Sequence, residues 1–146
     1  MAGGAIRATL LGGLVAGALD FAAATVLYEA PPMVIARSVA SGWLGPAART
    51  GGTQAAAIGI ASHFALMTMI AGVYVLAARR IPWLKSSWIL GGLVFGLCVY
   101  GIMNAIVVPL SAAAPRMPPP DTLLLEAVAL HMILIGLPIA WFARKA

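Results

Sequence analysis

The sequence predicts an all-α membrane protein. It is expected to be a four-helix transmembrane bundle built from two helical hairpins, with a short interfacial helix in the first loop and one domain over residues 1–146. Three observations carry this expectation. Of the 146 residues, 62% are hydrophobic and only 9% charged, too little polar surface for a soluble globule of this size. Four apolar runs each reach the ~20 residues that a spanning helix needs. The charged residues also sit mainly at the ends of those runs, which is how a chain sets its orientation in a bilayer.

The first span is expected over residues 7–28, with Gly13 and Gly17 forming a GxxxG and Asp20 one turn later. The same stretch has the marks of a signal peptide, with Arg7 as the charged start and small residues near Ala24 as a cleavage region. Its kinship with the third span, below, favours a structural helix. Residues 33–45 follow Pro31 and Pro32 and repeat Ile35, Val39 and Trp43 at four-residue spacing. That pattern suits a short helix in the interface with Arg37 toward headgroups, serving as a connection or as a lid.

The second span, 54–80, carries His63 near its middle and stops at Arg79 and Arg80. The third, 88–108, places Gly92, Gly96, Tyr100 and Asn104 on one stripe and is expected to close at Pro109. A connection with four prolines, SAAAPRMPPPD, leads to the fourth span, 122–142, which holds Glu126, His131 and Pro138. Pro138 predicts a bend near Leu134, because it leaves a carbonyl one turn back without its donor.

Basic residues partition six to three: Arg7, Arg79, Arg80, Lys85, Arg144 and Lys145 at one end, and Arg37, Arg49 and Arg116 at the other. Both termini are therefore expected in the cytoplasm, with a bacterial inner membrane as the setting. All four acids, Asp20, Glu29, Asp121 and Glu126, fall in the outer half. The net charge of +5 reflects this orientation and does not call for nucleic acid. Cys98 is the only cysteine, which excludes an intrachain disulfide and a CxxC motif.

An internal repeat is legible. Gly12-Gly13-Leu14-Val15-Ala16-Gly17 matches Gly91-Gly92-Leu93-Val94-Phe95-Gly96 at five of six positions, which sets one constant offset between the first and third spans. A second, shorter offset relates the second span to the fourth, aligning His63 with His131 and Tyr74 with Phe142. The longer first loop accounts for the difference. Since the first and third spans run the same way, the halves would be parallel repeats about an axis along the membrane normal.

By helix rise, His63 and His131 each lie ~15 Å from the outer end and Asp20 ~12 Å. Asn104 and Glu126 are expected nearer that surface, and Met67 and Tyr74 share the face of His63. Glu126 and His131, five residues apart, point different ways on an ideal helix. Three titratable groups at one depth on three helices define the candidate pocket: Asp20, His63 and His131, with Tyr100, Asn104 and Glu126 toward its mouth.

Four explanations fit these residues. They are structural contacts between helices; a proton or cation pathway opening outward, drawing on histidine's titration near neutral pH; a transition-metal site of His63, His131 and Asp20, with Met67, Met103 and Met132 favouring copper; or a b-type haem between the two histidines. No cofactor is required by the sequence. No GxSxG, HExxH, Walker-type or dinucleotide motif is present, so soluble-type enzyme chemistry is not expected. The glycine stripes also suit a homodimer or a larger membrane complex.

From His63 onward the chain resembles the YagU-like family of uncharacterised bacterial inner-membrane proteins. The resembling residues are His63, Ala71-Gly72-Val73-Tyr74, the basic turn with Pro82, Gly91-Gly92 through Pro109-Leu110, and Glu126 ahead of His131. The resemblance implies a multi-pass inner-membrane protein with a link to acid tolerance, and it implies no catalytic residues.

Overall fold

The computed structural model describes residues 2–113 and 121–146; of Ala2, Asp121 and Thr122 only the backbone is described. Most of the proline-rich connection, with Arg116, lies outside the described residues. Helix α1 spans Ala2–Leu27 and α2 Pro32–Leu44. A 3-10 turn, Pro46–Thr50, leads to α3, Thr53–Arg80. After the short α4, Trp83–Ser86, comes α5, Trp88–Leu110. The last helix, α6, consists of Asp121–Leu130, a π-helical stretch His131–Gly136, and Leu137–Ala143.

Four of these helices, α1, α3, α5 and α6, are long and apolar enough to cross a membrane. They are apolar on all sides, and the bundle exposes what a soluble protein would bury: Val26 is 78% exposed, Leu76 63%, Ile102 52% and Ile106 51%. Apolar surface on this scale belongs against hydrocarbon. The chain is a membrane-embedded four-helix bundle.

The junction α1–α2 turns on Glu29, a non-glycine residue with φ of 47°, and Pro32 then occupies the first turn of α2, where its missing N–H costs nothing. Helix α2 packs on α3, with Ala36 and Ala40 fully buried. A Cβ on Gly59 of α3 would run into the Ala36 carbonyl, so the two backbones touch. Of the larger stripe, Ile35 and Val39 are half-buried and Trp43 turns outward, 73% exposed. Small residues win the inner face because only they permit this approach. The backbone N–H of Ala112 also donates to the Gly42 carbonyl at 2.9 Å, tying the end of α5 to α2.

Glycines set the contacts within each half. A Cβ on Gly13 would lie 2.6 Å from the Thr68 Cα, and one on Gly17 3.0 Å from the Phe64 ring. In the second half, a Cβ on Gly92 would lie 2.8 Å from the Gly136 carbonyl, and one on Gly96 would strike the His131 carbonyl and the Met132 Cα. These pairs map onto one another: the first repeat offset carries Gly13 and Gly17 to Gly92 and Gly96, and the second carries Thr68 and Phe64 to Gly136 and Met132. The halves also cross-pack in the same register. A Cβ on Gly12 would lie 3.7 Å from the Phe142 Cβ, and one on its mate Gly91 would lie 2.9 Å from the hydroxyl of Tyr74, the mate of Phe142. Ala71 and Ile139, another pair related by the second offset, are both fully buried in the core. Two parallel helical hairpins thus share one packing scheme, and both glycine stripes face inward.

Proline does not end α5 as the sequence suggests. The helix continues through Pro109 to Leu110, and Met103–Val107 widens into a π-helix just ahead of it. The same widening, His131–Gly136, precedes Pro138 and covers the position where a bend was expected. Proline cannot donate to the carbonyl four residues back and its ring crowds that carbonyl, and a wider turn moves the two apart.

The glycine register predicts a graded response to a single added methyl. Gly13→Ala, which meets backbone, should lower stability by about 1–3 kcal/mol. Gly17→Ala should lower it less, because the Phe64 ring can shift, and Gly101→Ala, with nothing within 4 Å, should be neutral or slightly stabilising. Thermal unfolding in detergent measures the order; equal stability of the Gly13 and Gly101 variants would refute the packing scheme.

Candidate functional site

His63 sits at the α1–α3 interface, 8% exposed. Its Nε2–H donates to the Gly17 carbonyl across that interface at 2.9 Å. A carbonyl can only accept, so this contact places the proton on Nε2 and, in the neutral ring, the lone pair on Nδ1. Phe21 and Phe64 flank the imidazole edge-on, with centroid distances of 5.5 and 5.3 Å. Gly17 serves the site twice: its missing side chain lets α3 approach, and its carbonyl holds the ring.

His131 is half-buried and opens the π-helical stretch of α6. Its Nδ1–H donates to the Ala127 carbonyl in its own helix at 2.8 Å, which leaves Nε2 as the lone-pair nitrogen of the neutral ring. Tyr100 stacks edge-on at 5.1 Å, with an interplanar angle of 84°. The two sites are repeat mates, because the first offset carries Phe21 to Tyr100 just as the second carries His63 to His131. Each half therefore presents one histidine against an aromatic ring of its neighbouring helix, and His63 has Phe64 of its own helix as well.

Asp20 is half-buried on α1, where the charges of both imidazoles bear on its carboxyl. It has no counterpart in the second half, since the equivalent position there is Val99, which is 6% exposed. Both histidines of the sequence-derived trio thus bear on its acid. The residues expected at the mouth are arranged otherwise. Asn104 is exposed and donates through Nδ2 to the Tyr100 carbonyl at 2.9 Å, and Glu126 is exposed on α6. Met67, 3% exposed, packs beneath Gly17, with Cβ 3.4 Å from where a Gly17 methyl would stand. Among the described residues, no three His, Cys, Asp or Glu side chains converge as a metal-binding group. A ligand at His63 would meet Nδ1 unless it displaced the Gly17 carbonyl, whereas His131 offers Nε2.

Sequence reasoning missed Phe21 and the Gly17 carbonyl. Phe21 was recoverable, because the offset that pairs the glycines also pairs it with Tyr100. The carbonyl leaves no mark in a sequence. The two grooves in the surface, of about 350 and 440 Å3, lie elsewhere, at the basic ends of α1 and α3 around Leu76 and Arg79.

Fold and geometry together define a four-helix membrane protein with one histidine at equivalent positions of each half. No protein-family model, curated protein or solved structure matches the chain.

The hydrogen bonds predict different neutral tautomers for mates of one repeat. With both rings neutral, 15N NMR should report Nε2–H for His63 and Nδ1–H for His131. The same tautomer at both residues would contradict the assigned geometry.

Proposed function

We propose that the chain handles protons or cations across a bacterial inner membrane, using Asp20, His63 and His131 as its binding groups. The observation that carries this reading is the position of Asp20, half-buried on α1 beside Phe21, whose ring packs on His63 at 5.5 Å, and one turn from the Gly17 carbonyl that His63 holds. An ionisable group at membrane depth is expensive, and one shared by two titratable bases is a natural station for a proton or a small cation. Nδ1 of His63 and Nε2 of His131 are the nitrogens that take up a proton, and the Asp20 carboxylate stabilises either imidazolium. The excess of basic residues at the opposite end agrees with both termini lying in the cytoplasm. The resemblance of residues 63–146 to a family linked with acid tolerance agrees with this direction.

A second reading rests on its own observation. Both rings already donate to backbone carbonyls, at 2.9 and 2.8 Å, which satisfies them as interhelical and intrahelical structural contacts. Such contacts are worth about 0.6 kcal/mol each on average inside a membrane.

Liposomes holding a pH-sensitive dye separate the two. Transport predicts a proton or cation flux that rises as the pH falls through histidine's range near about 6.5. It should be abolished in Asp20→Asn and reduced at least tenfold in His63→Gln, with unfolding temperatures close to the parent's. Flux no greater than that of empty liposomes at every pH, with His63→Gln merely less stable, would establish the structural reading.

A further inference from the structure

At the basic end of the bundle α1 and α3 part slightly and leave a groove of about 350 Å3, walled by Ile6, Leu10, Val75 and Leu76 and ending at Arg79. A second hollow continues from Leu76 and Arg79 to Arg80. The walls are almost wholly apolar, and Ile6 and Leu76 are 59% and 63% exposed, so the groove opens sideways toward the surrounding hydrocarbon.

The cations at this end divide into two sets. Lys85 donates through Nζ to the Ala146 carbonyl at 2.5 Å. The Arg144 guanidinium lies 3.4 Å from the Trp141 ring centroid and 4.7 Å from that of Trp88, and the Lys145 ammonium lies 4.6 Å from Trp141. Those three are engaged by the chain itself. Arg7, Arg79 and Arg80, among the described residues, make no hydrogen bond, ion pair or ring contact, and of these Arg79 and Arg80 border the hollows. No acid in the sequence is placed to meet them: Asp20 is in mid-helix with the histidines, and Glu29, Asp121 and Glu126 lie at or near the opposite helix ends.

We propose that this groove is a binding site for an anionic glycerophospholipid, with an acyl chain along Ile6, Leu10 and Leu76 and the phosphate between Arg79 and Arg80. The charge that the chain leaves uncompensated is of the sign and at the place that a lipid phosphate matches, and a guanidinium pair grips a phosphate through paired N–H donors. Basic pockets between spanning helices select anionic headgroups for this reason. The site is independent of the histidines and of what they bind.

Native mass spectrometry of the full chain in detergent, with phosphatidylglycerol or phosphatidylcholine added, tests the proposal. Phosphatidylglycerol should be retained preferentially. Arg79→Gln and Arg80→Gln should each lower its retention about fivefold, the equivalent of about 1 kcal/mol per charge near a headgroup. Gly72→Leu, which fills the groove floor, should lower it further, and Arg144→Gln should leave it unchanged. Equal retention of both lipids, or phosphatidylglycerol binding unaltered in the double arginine variant, would overturn the site. Displacement by inorganic phosphate alone would also overturn it, since it would show an anion site without a lipid groove. Unfolding temperatures of the arginine variants matching the parent's keep the loss attributable to the groove.

Discussion

Between helices that already lie in hydrocarbon there is no water to expel, so this bundle depends on how closely its backbones can approach. Glycine decides that distance. Gly13 and Gly17 let α3 lie on α1, and Gly92 and Gly96 let α6 lie on α5, in one register used twice along the chain. The histidines inherit their positions from it. Gly17 is both the gap that admits α3 and the carbonyl that holds His63, and Gly96 lies directly against the His131 carbonyl. Both stripes are thus occupied by contacts within the chain itself.

The repeat makes its exceptions informative. Phe21 and Tyr100, His63 and His131, Gly12 and Gly91 all correspond, but Asp20 corresponds to Val99. The rings also differ in their bonds, His63 across to α1 and His131 back along α6. The two halves share a scaffold and have been given different chemistry.

Much of this was legible in the sequence, for reasons that follow from lipid as the solvent. Span lengths are set by bilayer thickness, so the four apolar runs read directly as helices, and all but the first begin and end close to expectation. The glycine repeat and the pairing of His63 with His131 were visible because packing that fixes residue identity also leaves a periodic trace. The inward face of α2 was not legible, since Ala36 and Ala40 look unremarkable beside Ile35, Val39 and Trp43 until Gly59 is known to lie opposite. The continuation of α5 past Pro109 was likewise hidden. A proline marks a defect in the hydrogen-bond ladder without saying whether the chain ends there or widens to accommodate it.

The placing of those widened turns separates the halves mechanically as well. Neither α1 nor α3 contains proline, and the Phe21–His63 pair sits in regular helix with an interhelical bond across it. The Tyr100–His131 pair lies beside both π-helical stretches, one starting at Met103 just after Tyr100 and the other at His131 itself. A π turn replaces the regular ladder with poorer geometry and is the usual place for a helix to yield.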